Sequence, residues 1–144
     1  MQKPIASLMA VGLLVLAACG TGGEVEPGPI TSFEDIAGTT YELQGIGPPG
    51  FIHFFEDGTF HGSSNRDLVE DPGAPQRFIV ETRFEGTKLF VKALKETAFS
   101  CDDDPEAIYE IHLLENGNLQ FVAIEDKCLH RSKDVPETEW APVP

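Results

Sequence analysis

The stretch IYEIHLLENGNLQFVAIE, residues 108–125, decides the fold that this sequence predicts. Two runs rich in β-branched and aromatic residues flank Asn116-Gly117, and Asn-Gly between apolar runs is a strong signal for a β-hairpin. With a two-residue turn, each face of the hairpin mixes apolar and polar side chains. A three-residue turn with Gly117 in the left-handed conformation separates them instead. It predicts the cross-strand pairs Leu113–Leu119, Ile111–Phe121 and Tyr109–Ala123.

Two further stretches predict hairpins, and the same rule applies to the first of them. In HFFEDGTF, residues 53–60, it pairs Phe54 with Phe60 and places His53 opposite His61. Phe51 and Phe55 then fall on the histidine side of the hairpin. FEGTKLFV, residues 84–91, predicts a third hairpin. Its apolar positions are Phe78, Val80, Thr82 and Phe84 on one strand, and Leu89, Val91 and Ala93 on the other.

Serial hairpins of this kind predict an all-β fold. The strands are predicted at 39–44, 51–55, 59–63, 77–84, 88–94, 107–114 and 118–125, and a last one either at 128–132 or at 139–143. Seven or eight such strands form a small antiparallel meander β-barrel, whose closure removes exposed edges. Thr31 and Glu34 fit a capping box, which predicts a short helical turn before the first strand.

The N-terminus, MQKPIASLMAVGLLVLAACG, predicts export. Lys3 precedes an apolar run over residues 5–18 that is shorter than the roughly 20 residues of a membrane span. A charged start, a short apolar core and small residues at its end are typical of a signal peptide. We therefore expect a signal peptide at 1–18, a flexible Gly-, Pro- and Glu-rich tether at 19–31, and one barrel domain at 32–144.

The end of that segment carries a family resemblance. Leu16, Ala17, Ala18 and Cys19, followed by Gly20, resemble the lipobox of bacterial lipoproteins. The resemblance implies that Cys19 receives a diacylglycerol, that cleavage occurs before it, and that the new amino terminus gains an acyl chain such as palmitate. It places the protein outside the cytoplasm, anchored to a bacterial cell membrane. An ordinary secreted protein with an incidental cysteine, or an uncleaved anchor, is the alternative.

The charge balance limits the kinds of molecule that this chain is expected to bind. The chain has 10 Lys and Arg against 24 Asp and Glu, a net charge of −14. Removal of residues 1–18 takes away Lys3 and leaves 9 against 24, or −15. Nucleic acids are bound by Lys and Arg, so we expect no nucleic acid partner. The same charge disfavours docking of the domain's surface on anionic lipid, and solubility is its simplest interpretation.

A second resemblance covers residues 32–144. IAGTTYEL (36–43), FFEDGTF, FEGTKLFVK, the stretch from Cys101 to Arg131 and the tail EWAPVP resemble, in that order, the lipocalin-like (calycin) β-barrels of small bacterial lipoproteins. The resemblance implies that Tyr41 and Arg131 close one end of the barrel, with Asp126 orienting the arginine. Tyr41 stands one residue late for that family's Gly-x-Trp, and Trp140 is a competing partner. GTTYEL is also similar to META-type envelope lipoproteins.

Once Cys19 is lipidated, two cysteines remain. Cys101 follows the strand-like stretch ETAFS, and Cys128 follows the predicted strand at 118–125. An even pair in an exported domain is expected to oxidise. We therefore predict a disulfide between them. A zinc site with His130 or a reactive thiol is the alternative, but the close paired spacing of structural zinc sites is absent. No metal or cofactor is expected.

The remaining polar candidates are histidines. His53 and His61 as cross-strand neighbours suggest a metal-binding pair, a pH-sensitive pair, or two solvent-facing side chains. The sequence contains no nucleophile elbow, His-Glu-x-x-His or phosphate-binding glycine loop, so we expect no enzyme. An enzyme, as the weakest hypothesis, would draw on His112 or His130 at a barrel mouth.

The sequence leaves two functional hypotheses open. Phe54, Phe60, Tyr109, Ile111 and Phe121 are expected to face the barrel interior and to line a cavity if one exists. A cavity would make the protein a membrane-anchored module that binds a small, largely apolar molecule, which is our leading expectation. A filled interior would indicate a non-catalytic structural or protein-interaction lipoprotein of the envelope.

Overall fold

The computed structural model describes residues 26–45, 47–75, 78–94, 106–128, 131–135 and 138–144. Within these ranges no helix is long and apolar enough to cross a membrane. A 3-10 turn spans Phe33–Asp35, and two short helices are α1 (Arg66–Val69) and α2 (Arg131–Asp134). The strands are β1 (Gly28–Pro29), β2 (Thr40–Gln44), β3 (Phe51–Phe54), β4 (Thr59–Ser63), β5 (Phe78–Glu85), β6 (Lys88–Ala93), β7 (Glu106–Leu113), β8 (Leu119–Glu125) and β9 (Glu139–Pro142).

The eight strands from β2 to β9 form a closed antiparallel barrel. Each strand pairs with the next along the chain, and β9 returns to pair with β2, so the meander closes on itself. The two-residue β1 adds to the side of β7, where Gly28 lies opposite Leu113. Alternating side chains on eight serial strands account for this closure, because the apolar face of every hairpin must be buried. The predicted all-β meander barrel is confirmed.

The register of the hairpins follows the sequence pattern. Leu113 pairs with Leu119 and Ile111 with Phe121 across a three-residue turn. Gly117 has φ +82°, the left-handed conformation that this turn requires. The hairpin at 53–60 also has the predicted register, with His53 opposite His61. In the third hairpin the predicted apolar positions face one another across a two-residue turn, as in Phe84–Leu89.

The barrel has two different ends. The hairpin end carries the tight turns at 55–58, 86–87 and 114–118, and the loop end carries the connections that include α1 and α2. The predicted helical turn is confirmed as the 3-10 turn, but its cap is Ser32, whose Oγ accepts from the Glu34 N–H, rather than Thr31. Phe33 packs at the hairpin end, with ring centroids 5.0 Å from Phe84.

The last strand is the tail strand β9, so of the two alternatives the stretch at 139–143 is correct, and α2 begins within 128–132 instead. β8 and β9 pair only at Leu119–Trp140 and Gln120–Glu139 among the described residues. The connection through α2 returns from the loop end to the start of β9. Within the predicted tether, Gly28 and Pro29 form β1.

One close approach shapes the barrel wall. Gly62 on β4 faces inward, and a Cβ built there would lie 1.6 Å from Cζ of Phe78. The Phe78 ring therefore occupies the space that any larger residue at position 62 would need. Its neighbour His61 faces outward, because successive residues of a strand point to opposite faces.

Candidate functional site

The barrel interior is the first candidate site, because inward side chains of all the long strands converge there. Phe54, Leu89 and Ile111 are completely inaccessible to solvent, and Tyr109 is 1% exposed. The aromatic rings contact one another edge-on or tilted, as in Phe54–Phe60 with centroids 5.4 Å apart. These residues form one continuous hydrophobic cluster that fills the barrel.

The cavity left in this cluster measures about 30 Å³. Its lining consists of Phe60, Val80, Val91, Ala93, Tyr109, Phe121, Arg131 and Val135. Of the five residues predicted to line a cavity, Phe60, Tyr109 and Phe121 do so. Phe54 and Ile111 are buried in the core beside it. A water molecule needs about 10–15 Å³ measured in this way, so the space has room for about two or three waters.

A buried ion pair lies at the loop end of the cavity. The Arg131 guanidinium donates from Nε to Asp126 Oδ2 at 2.7 Å and from Nη2 to Oδ1 at 2.9 Å. The Tyr109 hydroxyl donates to Oδ2, and the Cys128 N–H donates to Oδ1 at 2.9 Å. We call Tyr109, Asp126 and Arg131 the clasp, because they join β7, the end of β8 and α2.

Charge compensation explains how the clasp stays ionised inside the protein. The side chains of Arg131 and Asp126 are 3% and 0% exposed. Burial alone raises the pKa of Asp126, but the hydrogen bonds from Arg131, Tyr109 and the Cys128 N–H outweigh it and hold that pKa below its usual range. Burial, reinforced by the Asp126 carboxylate, raises the pKa of Tyr109 above its usual range.

The predicted closure residues have different surroundings. Arg131 is oriented by Asp126, as the sequence suggested, and it lines the cavity. Tyr41 is 5% exposed and packs edge-on against Phe54, with ring centroids 6.0 Å apart. The contacts described for Arg131 and for Tyr41 do not join the two, so their pairing stays a prediction.

The cysteine predictions depend partly on residues outside the described ranges. Cys19, Cys101 and His130 lie there, as does the predicted signal peptide. Cys128 is 2% exposed and lies just after β8 at the loop end. β6 ends and β7 begins at that same end, and Cys101 lies between them in sequence. The disulfide and the lipid attachment stay predictions.

A second polar cluster lies on the outer wall of the barrel. Thr40 donates from Oγ1 to Glu70 Oε1 at 2.7 Å, and the same Oγ1 lies 2.9 Å from Nδ1 of His53. Because the single hydroxyl proton of Thr40 goes to the carboxylate, Nδ1 of His53 is the donor in this arrangement. Nε2 of the neutral ring is then left as an acceptor. We call Thr40, His53, His61 and Glu70 the outer-wall cluster.

The two histidines of this cluster share one aromatic neighbour. The Phe55 ring lies 4.6 Å from the His53 ring and 4.5 Å from the His61 ring, measured between centroids. Burial lowers the pKa of His53, and the Glu70 carboxylate partly offsets it. Burial also lowers the pKa of His61. Within the described part of the chain, no group of three or more His, Cys, Asp or Glu side chains is arranged to hold a metal ion.

Sequence reasoning missed α1 and the bond from Thr40 to Glu70. The helix has four residues, too few for a hydrophobic period. Glu70, directly after the helix, is 30 positions from Thr40 in the chain. A local signal for α1 did exist, since Asn65 is a good N-cap residue and accepts from the Asp67 N–H at 3.0 Å. His112, the other candidate, lies 3.0 Å from Glu110 Oε2 on the outside of β7.

Comparison with known proteins gives no relative. No family model matches the chain, and neither a curated protein nor a solved structure matches it with significant similarity.

Proposed function

We propose that this chain is a lipid-anchored, lipocalin-like protein of the bacterial cell envelope that acts without catalysis, as a structural or protein-interaction module with a filled barrel. The observation that carries the proposal is the cavity of about 30 Å³. Sites for small molecules usually enclose about 300–1,000 Å³. The interior therefore favours a packed core over the binding of a small apolar molecule.

The direction of β1 supports attachment at the hairpin end. β1 runs antiparallel to β7, and its first residue, Gly28, lies beside Leu113 at the last position of β7. The chain before Gly28 thus approaches from the hairpin end. Gly28 lies nine positions after Cys19, a distance that a fully extended chain spans in at most about 32 Å. A lipid on Cys19 would hold the barrel within that distance of the membrane.

The charge of the surface supports a basic protein partner. Several described cations pair with carboxylates, as in Arg66–Glu70 at 3.1 Å and Arg83–Glu106 at 2.8 Å, which offsets part of the positive charge of the surface. Exposed carboxylates collect at the hairpin end, in the 3-10 turn and in the turns after β3 and β7. They are Glu34, Asp35, Glu56, Asp57 and Glu115. Electrostatic attraction would steer a basic partner to this end.

Binding of an apolar probe tests the filled interior. We expect the wild-type protein to give no saturable binding of a naphthylamine fluorophore. Phe121→Ala removes a ring from the cavity lining and is the matched control, because an enlarged apolar cavity stays dry and accepts small apolar ligands. Saturable micromolar binding by the wild type, displaced by fatty acid, would instead establish the ligand-binding function.

Affinity capture tests the interaction function. The lipidated protein should retain a basic envelope protein at low salt and release it at high salt, since exposed charges are screened. The triple substitution Glu34→Gln, Glu56→Gln and Glu115→Gln should abolish this capture. An equal charge change on the wall, Glu42→Gln, Asp67→Asn and Glu81→Gln, should preserve it. Equal loss in both variants would contradict a partner at the hairpin end.

Lipidation is tested separately. In cells fed with labelled palmitate, the wild-type protein should carry label and sediment with membranes, whereas Cys19→Ala should lose both. Label that persists in the alanine variant would refute Cys19 as the attachment site.

A further inference from the structure

His61 combines burial with an unsatisfied ring nitrogen. The residue is 5% exposed, although it lies on the outer face of β4. Its Nδ1 is buried and has no hydrogen-bond partner among the described residues. A neutral ring tolerates this position at moderate cost. Protonation gives the ring an N–H on both nitrogens and a positive charge, and a buried charge with an unpaired donor is strongly unfavourable.

The cover over this face of the barrel is residues 64–74, which we call the strap. α1 lies within the strap and packs against β3 and β4. The Asn65 N–H donates to Ser63 Oγ at 3.1 Å, and Val69 is fully buried although it lies outside the main core cluster. Glu70 accepts from Thr40, so the strap reaches from β4 past β3 to β2, along the outer face to which His61, His53 and Thr40 belong.

The strap buries little apolar surface, since Val69 is the one fully buried residue within 64–74. Its described hydrogen bonds to the rest of the protein include the bond from Thr40 to Glu70 and the bond from Arg66 Nη2 to the Pro144 carbonyl at 2.6 Å. Segments with so little buried apolar surface open at a much lower free energy than the barrel strands. A single unfavourable event beneath the strap can therefore release it while the barrel stays closed.

The charged groups around His61 do not compensate the positive charge that the ring gains on protonation. Asp57, in the turn after β3, is the carboxylate that acts on His61, and it is exposed. A positive charge on His53, on the neighbouring strand β3, disfavours a positive charge on His61. On the strap, Glu70 is engaged with Thr40 and Arg66, and it faces His53. The described contacts thus provide no buried acceptor for a protonated His61.

We propose that the strap is an acid-released element, in which protonation of His61 detaches residues 64–74 from the outer wall of the intact barrel. Burial lowers the pKa of His61 from its ordinary value of 6.5, so the attached strap binds fewer protons than the open one. The attached form is accordingly favoured above pH 6.5 and loses population as the pH falls below it. Release would uncover Val69 and Phe55 beside two protonated histidines, creating a cationic, apolar strip on an acidic protein.

Hydrogen exchange on the full lipidated chain tests the proposal. Protection factors, which correct for the pH dependence of chemical exchange, are compared at pH 8 and pH 5. If His61 is the group that titrates, amides of residues 64–74 should lose up to about 30-fold in protection at pH 5. Amides of β7 should keep theirs. A strap without protection at pH 8, or with equal protection at both pH values, would contradict the proposal.

Two variants identify the titrating residue. His61→Phe keeps a ring but cannot be protonated, so its strap should stay protected at pH 5. His53→Gln, the matched control, should still lose strap protection in acid. The same loss in His61→Phe as in wild type would overturn the role of His61. If His61→Phe does not fold, NMR titration of the His61 ring in the wild type decides, because a ring that titrates at or above 6.5 contradicts the proposal.

Discussion

The clasp and the outer-wall cluster each contain buried ionisable side chains, but only the clasp is equipped to hold a charge. Asp126 accepts from Tyr109, from the Cys128 N–H and twice from Arg131. His61 in the outer-wall cluster has a buried Nδ1 without a partner. Burial alone therefore does not set the response of a side chain to pH. Hydrogen-bond satisfaction decides whether a buried ionisable group stabilises a structure when charged or when neutral.

The largest loss in the free energy of unfolding is expected from removing one partner of the clasp's ion pair. Asp126→Asn leaves the Arg131 guanidinium buried without its counter-charge, and removal of one partner of a buried ion pair costs about 3–5 kcal/mol. Denaturant unfolding monitored by Trp140 fluorescence measures this loss in the free energy of unfolding.

The control removes both charges. Asp126→Leu with Arg131→Met should cost clearly less than Asp126→Asn, because no uncompensated charge remains. A double variant less stable than the single one would show that the pair contributes mainly through its own attraction.

Acid should also weaken the ion pair of Asp126 with Arg131. This effect is expected at a lower pH than the release of the strap. The pKa of Asp126 is lowered in the folded protein, so its stabilising contribution is complete above the unfolded value near 3.9 and is lost as the pH falls through the folded value. Thermal unfolding followed from pH 7 to pH 3 should show this loss below about pH 4. It should be absent in Asp126→Asn, and an equal loss there would assign it to other carboxylates.

A smaller loss is expected from Gly62→Ala, on the inner side of the wall next to His61. The new Cβ would lie 1.6 Å from the Phe78 ring, so the ring must leave its place. Overpacking of this kind costs about 1–3 kcal/mol. Gly73→Ala in the exposed strap is the matched control, where the nearest atom is Asp71 Oδ1 at 3.4 Å. Equal midpoints of chemical unfolding for the two variants would contradict the packing described for β4 and β5.

The smallest effect is expected from Thr40→Val in the outer-wall cluster. It removes the hydroxyl that joins His53 to Glu70, and one such hydrogen bond contributes about 1 kcal/mol. Strap protection at pH 8 should fall while the barrel amides change little. Thr31→Val, at an exposed position, should change neither, and a global loss in Thr40→Val would mean that strap and barrel open together.

The barrel register could be predicted because each hairpin has one apolar and one polar face. A shift of one residue would expose Leu113 and bury His112, so the alternation itself selects the pairing. The partnership of Asp126 with Arg131 was also accessible, since both lie in one short stretch next to a predicted barrel closure. Local patterns with one dominant solution are those that sequence reasoning resolves.

The cavity volume and the strap could not be predicted in the same way. Whether Phe60, Tyr109 and Phe121 leave room for a ligand depends on how three rings from separate strands fit together, which no spacing encodes. The strap binds β2 through Glu70, in an irregular segment with no repeated pattern. Gly62 was a usable hint, because a glycine inside a strand often marks a close approach by a neighbour.

Native mass spectrometry of the full lipidated protein, followed by solvent extraction, measures most directly whether the barrel is filled by its own side chains. We expect a mass equal to the polypeptide with its covalent lipid, and no small molecule in the extract at stoichiometric amount. A molecule bound one to one that leaves on denaturation would contradict a cavity of about 30 Å³ and establish a ligand-binding barrel.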